Sequence, residues 1–203
     1  MGFVYADGWI AKDGALGIEL KDTEIGHLEK FKKHIEAETE IKIYHKNSTF
    51  GPQVNARILI TSKQTYLPHL LKHFTSLNKS QEGVLPTLPE PLMRHCVRGF
   101  FDGDGSLTGK PKEGNIWCPS ISMTSTKETL EKIVNISGFE WSWSQRFPER
   151  EINNYQISTG RVHDGLSFLN YMYTGASVYL DRKFKLYQEL IENRTRLQAK
   201  ARV

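Results

Sequence analysis

Cys96-Val-Arg-Gly-Phe-Phe-Asp-Gly-Asp-Gly-Ser-Leu107 is the stretch on which the reading of this chain turns. An apolar approach runs into two carboxylates, Asp102 and Asp104, interleaved with Gly103 and Gly105. A weaker copy, Met1-Gly-Phe-Val-Tyr-Ala-Asp-Gly-Trp-Ile10, opens the chain. Aligned on the Asp-Gly pair, Gly2 falls on Gly99, Phe3 on Phe100, Ala6 on Gly103, Asp7 on Asp104 and Gly8 on Gly105. Asp104 stands at the middle of 203 residues, the spacing of a chain built from two similar halves.

The segments behind the two copies repeat as well. The first copy reads as a helix stopped by Gly8, whose freedom at positive φ suits a helix end. Trp9–Leu20, with Asp13-Gly14 at its centre, is expected to be a hairpin. Apolar Ile25, Leu28, Phe31 and Ile35 predict an amphipathic helix over Thr23–Ala37. Glu40–Tyr44 and Val54–Thr61 read as antiparallel strands joined through Asn47–Pro52. A helix from Ser62 to about His73 and a proline-containing linker over 76–91 come next, dividing a first half (1–75) from a second (92–203).

The second half predicts a helix over Glu90–Asp102, strands at Gly105–Leu107 and Ile116–Met123, and a helix over Thr126–Ile136. Strands at Glu140–Gln145 and Ile152–Thr159 come after it, then helices at Val162–Tyr173 and Val178–Asn193 and a frayed basic tail. Trp141 and Trp143 alternate, so one face of their strand belongs to a core. The order helix, hairpin, helix, hairpin, helix occurs twice, with a longer first hairpin in the second half around Gly109–Gly114. The expected class is α+β: two pseudo-symmetric halves, each an antiparallel sheet with helices on one face, joined at a pair of motif helices.

Composition narrows the partners. At 38% hydrophobic and 25% charged residues the chain is globular rather than disordered. No apolar run approaches bilayer thickness, and Cys96 and Cys118 are too few for a disulfide scaffold, so a soluble intracellular protein is expected. A net charge of +4 tilts the balance toward an anionic partner.

The motif chemistry sharpens that expectation. Gly2 and Ala6, like Gly99 and Gly103, stand at i and i+4, one stripe of a helix, where small residues allow two backbones to approach closely. Packing along that stripe brings Asp7 and Asp104 together at the negative poles of two helices, where carboxylates are unfavourable and repel each other. A divalent cation relieves both problems, and hard oxygen donors suit Mg²⁺. Metal held between carboxylates and a phosphodiester can activate water for an in-line displacement. Two other readings fit worse. As a calcium loop, Asp102-x-Asp104-x-Ser106 has Leu107 where glycine is required. As a dinucleotide fingerprint, Gly103-x-Gly105 lacks its third glycine and a preceding strand.

These motifs resemble those of the LAGLIDADG homing endonucleases in their two-motif, single-chain form. Gly2–Gly8 matches positions three to nine of the first motif, and Val97–Gly105 matches all nine of the second. Asn78-Lys79-Ser80 and Tyr179-Leu-Asp-Arg-Lys183 extend the resemblance over essentially the whole chain. It implies that Asp7 and Asp104, with Gly8 and Gly105 beside them, form the metal site, for Mg²⁺ or alternatively Mn²⁺ or Ca²⁺. It implies that Lys79 and Lys183, one per half, support charge developing at the scissile phosphates. Asp102, whose counterpart is Tyr5, falls outside that symmetric set. The first copy begins inside its own helix, so its half of the pair is expected to be short.

The resemblance also implies a four-stranded sheet in each half, the two forming a saddle over the major groove. Strand residues able to read base edges or hold phosphates are Lys42, His45, Lys46, Asn47 and Arg57 in the first half. In the second half they are Trp117, Arg146, Arg150, Asn153, Asn154 and Gln156. The implied function is site-specific cleavage of double-stranded DNA by a monomer at a long asymmetric target, with no membrane partner. The alternative is a relative that binds DNA or RNA without cutting, such as an intron maturase or a regulator.

Overall fold

The computed structural model describes residues 1–48, 51–61, 68, 72, 83–112, 116–150 and 152–200. Each half begins with a motif helix that runs into a strand with no intervening loop. The first half comprises α1 (Gly2–Asp7), β1 (Gly8–Ile10), β2 (Leu16–Lys21), a 3₁₀ turn, α2 (Ile25–His34), β3 (Lys42–Ser48) and β4 (Gly51–Ile60). The second comprises α3 (Glu90–Asp104), β5 (Gly105–Lys112), β6 (Ile116–Ser125), α4 (Lys127–Ser137), β7 (Ser142–Gln145) and β8 (Tyr155–Thr159). Helices α5 (Val162–Tyr173) and α6 (Asp181–Lys200) close the chain.

Both sheets are four-stranded and antiparallel, with strand orders β1-β2-β4-β3 and β5-β6-β8-β7. The same topology occurs twice, which is the α+β architecture the repeat implied. Alternation sets the faces. Leu16, Ile18 and Leu20 of β2 join Ala56, Ile58 and Ile60 of β4 in one core with Phe3, Val4 and Leu28. Leu107, Ile121, Met123 and Ile157 build the second core with Val97, Phe100, Phe101 and Phe168. Each sheet therefore has one face under helices and one face open.

Local chemistry explains the departures from the sequence reading. Gly8 has φ −84°, extended rather than left-handed, and Gly105 has φ −80°. Glycine is needed there for space: a Cβ on Gly8 would stand 2.5 Å from the Val4 carbonyl oxygen, and one on Gly105 2.5 Å from that of Phe101. The β3–β4 pairing continues through Asn47↔Pro52 to Ser48↔Gly51, so these four residues, read as part of a connection, are paired strand, with Gly51 at φ +103°. Helix α6 starts at Asp181 rather than Val178 and continues to Lys200, through the tail expected to fray. The β5–β6 hairpin is much longer than β1–β2.

The helix expected over Ser62–His73 lies almost wholly outside the described residues, as do linker residues 76–82. The linker's last part lies along α4: Gly83 O accepts from Thr126 Oγ1 at 2.7 Å, and the Leu85 N–H donates to Thr129 Oγ1 at 3.0 Å. Tyr5 Oη is bonded to the same Thr129 hydroxyl at 2.9 Å, tying α1 to the second half. Among the described residues no helix is long and apolar enough to cross a membrane.

Candidate active site and nucleic-acid interface

Helices α1 and α3 meet backbone to backbone. A Cβ on Gly2 would fall 1.7 Å from the Cys96 carbonyl oxygen, and one on Gly99 2.6 Å from the Phe3 nitrogen. On Gly103 it would fall 2.4 Å from both the Ala6 methyl and Asp7 Oδ2. Only glycine tolerates these approaches, because backbone cannot yield as a flexible side chain can. The last contact puts the Asp7 carboxylate against α3 one residue before Asp104, where both helices end. Asp104 is exposed and Asp7 half-buried.

Lys183 sits at this junction, almost wholly buried. Its Nζ donates to the carbonyl oxygens of Phe101, Asp102 (2.9 Å) and Gly105. All three ammonium N–H bonds thus go to carbonyls where α3 runs into β5, offsetting the helix's negative pole; the Phe101 oxygen also accepts the Gly105 N–H. Burial draws Lys183 down to about 8, against the raising influence of Asp102. Asp102 points the other way, into the second core: Tyr173 Oη donates to Oδ1 at 2.6 Å and the Leu180 N–H to Oδ2 at 3.1 Å. Burial pushes its carboxyl up to about 6, although those hydrogen bonds, Lys183 and Arg98 pull it down. Lys79 lies outside the described residues.

The open sheet faces carry the polar surface. In the first half, register places Lys42, Tyr44 and Lys46 of β3 beside Arg57, Asn55 and Gln53 of β4. Glu19 of β2 is their hub: Oε1 accepts from Lys46 Nζ (3.0 Å) and Asn55 Nδ2 (2.6 Å), and Oε2 from Arg57 Nη2 (3.0 Å). Burial would raise the Glu19 carboxyl, yet hydrogen bonds from Tyr44, Asn55, Lys46 and Arg57 hold it at about 2. Arg57 also donates to Tyr44 Oη at 2.7 Å and lies 5.5 Å over the Trp9 ring. Of the residues predicted here, Lys42, Lys46 and Arg57 share this face; His45 and Asn47 fall on the opposite one, because they sit at the alternate strand positions. Glu19, Asn55 and Trp9 escaped the sequence reading. The alternation of β2 and β4 is the signal that could have found them.

In the second half Gln156 is on the open face, and Arg146 Nη1 donates to its Oε1 at 2.9 Å. Arg150 is exposed on a 3₁₀ turn, its guanidinium 4.8 Å over Phe147. Asn154 precedes β8, and its carbonyl accepts the Arg146 N–H at 2.8 Å. Two predicted residues are placed elsewhere. Trp117 packs against the core, its N–H donated to Asn193 Oδ1 of α6 at 3.1 Å. Asn153 holds the start of α4, accepting from the Lys127 N–H at 3.0 Å and donating to Glu128 at 2.8 Å.

Two packed motif helices under a pair of four-stranded sheets define the fold: it is that of the LAGLIDADG homing endonucleases. The chain superposes on the K262A mutant of I-SmaMI with a TM-score of 0.63, at 15% identity, over 98% of this chain and 90% of that one. For I-GzeII in complex with its DNA target the TM-score is also 0.63, at 10% identity, over 100% and 90% of the two chains. For I-WcaI bound to its DNA recognition sequence the figures are 0.60, 16%, 90% and 82%. No protein-family model and no curated protein matches the sequence.

The donor set suits a divalent metal of the Mg²⁺ type. Asp7 and Asp104 bring hard oxygens to the helix ends, while no group of three or more His, Cys, Asp or Glu able to hold a metal gathers among the described residues. Two carboxylates, with remaining positions left to water and substrate phosphate, is the pattern Mg²⁺ commonly takes.

Proposed function

We propose that this chain is a site-specific double-strand DNA endonuclease. The observation that carries the reading is the close packing of the two motif helices, with the Asp7 carboxylate against Gly103, the residue before Asp104. DNA lies along the open sheet faces, whose Lys42, Lys46, Arg57 and Arg146 meet phosphates and base edges. Residues 1–75 and 92–203 each engage one half of a long asymmetric target, so the protein acts as a monomer.

Asp7 and Asp104 hold Mg²⁺ (Mn²⁺ or Ca²⁺ enter the same site), with Gly8 and Gly105 beside them. The metal, when bound, lowers the pKa of water and stabilises the leaving oxygen. Asp7 and Asp104 would hold that ion at the helix ends, and their carboxylates would balance its charge. Lys183 neutralises the helix end on which Asp104 stands, and Lys79 is its proposed counterpart in the first half. The similar folds seen with DNA targets, I-GzeII and I-WcaI, support this use of the saddle.

Asp104→Asn should abolish cleavage of a selected target in Mg²⁺, by 10²-fold or more, roughly the loss seen when one transition-state-stabilising group is removed. Binding measured by gel shift should change only a few-fold. Wild-type protein that binds duplex DNA but never cuts it in Mg²⁺ would instead identify a binding-only relative.

A further inference from the structure

We infer that the two half-sites of the target are read with unequal stringency: bases facing the first sheet are specified tightly, and those facing the second only loosely. The inference rests on the proposed use of the open faces for DNA. Register counted outward from the two motif glycines makes the sheets comparable row by row, since Gly8 pairs with Ile18 as Gly105 pairs with Met123.

In the first sheet, the row next to the motif is Trp9–Gly17–Leu59. The Trp9 indole covers Gly17, where a Cβ would come within 2.2 Å of the ring. The equivalent row in the second sheet is Ser106–Ser122–Ser158–Ser142, four serines across four strands. On the other side of the motif glycine, the open row is Glu19–Arg57–Lys42 in the first sheet and Thr124–Gln156–Ser144 in the second.

The chemistries differ in what they can discriminate. Arg57 and Lys46 carry donors of the kind that pair with guanine, while Asn55 is buried and spends its amide N–H on Glu19. Glu19 holds Arg57 and Lys46 in place, so less side-chain freedom remains to be lost on binding. Trp9 and Leu59 offer apolar surface to a thymine methyl. Serine and threonine hydroxyls both donate and accept, so they satisfy any base and leave room for water. Among the described residues, Gln156 and Arg146 are the directional readers of the second face.

The test is selection of bound duplexes from a library randomised across the whole target length, in Ca²⁺, with bound sequences counted regardless of cleavage. One half-site should emerge with most positions fixed and the other with few. Arg57→Ala and Glu19→Gln should flatten fixed positions in the first half-site, lowering discrimination roughly 5- to 100-fold per position. Ser122→Ala with Ser158→Ala should leave the profile unchanged. The transplant Thr124→Glu, Gln156→Arg and Ser144→Lys should create fixed positions in the loose half-site. Thermal melting of each variant confirms folding. Equal information in both half-sites, or flattening by the serine variants, overturns the inference while leaving the DNA-binding reading intact. Failure of the wild-type chain to enrich any sequence overturns both.

Discussion

Glycines at single positions decide whether this fold can form. Gly103 has no room for a methyl group, because Ala6 and Asp7 Oδ2 occupy its place. Gly103→Ala should destabilise by roughly 1–3 kcal/mol, the usual cost of overpacking, and displace Asp7 enough to cut activity. Gly26, in α2, has nothing within 4 Å of its Cβ position. Gly26→Ala should stabilise by about 0.5–1 kcal/mol, by limiting the unfolded chain. Urea denaturation of the two variants reads both signs. The small-residue stripe was legible from i, i+4 spacing alone. The reason for Gly8 and Gly105 was not, since positive φ and close approach demand the same residue and only the backbone path separates them.

At the scale of elements, the end of α3 depends on a side chain from α6. Lys183 gives all its hydrogens to carbonyls of Phe101, Asp102 and Gly105, and Asp102 anchors the segment leading into α6 through Leu180. Lys183→Met keeps the stem but strips the donors. The Phe101 oxygen keeps the Gly105 N–H, and a buried carbonyl left without any partner costs roughly 1–3 kcal/mol, an upper bound where water can enter. The variant should therefore lose several °C in Tm as well as cleavage. A lysine acting only on phosphate would lose cleavage with Tm unchanged. Sequence could place Lys183 in a repeat and not at a helix end, because its partners lie about 80 residues away.

Across the whole molecule, side chains of the first half meet the segment that leads into α6. Arg182 Nε meets Glu24 at 2.5 Å, and Lys30 reaches both Asp181 and the Tyr179 carbonyl. His27 is buried beneath this seam, its ring edge-on to Phe3 at 4.5 Å. Burial lowers His27 to about 4. The folded protein therefore keeps it neutral at pH values where the unfolded chain protonates it. Its contribution is complete above the unfolded value of about 6.5 and is lost as pH falls toward 4, on the order of 3 kcal/mol in all. Urea midpoints at pH 7 and pH 4.5 should differ less for His27→Leu than for the wild type.

By itself the sequence determined the doubled Asp-Gly motif, the helix–hairpin order that repeats behind it, the class, and the small residues along which the motif helices pack. Those features arise from local spacing, which period and steric size report directly. Tertiary structure alone decided which face each strand residue shows, and hence that His45 and Asn47 part from Lys46, that Trp117 turns to the core and that Asn153 caps a helix. The physical reason is register: a shift of one residue exchanges the faces of a strand, and only pairing with its neighbours selects between them.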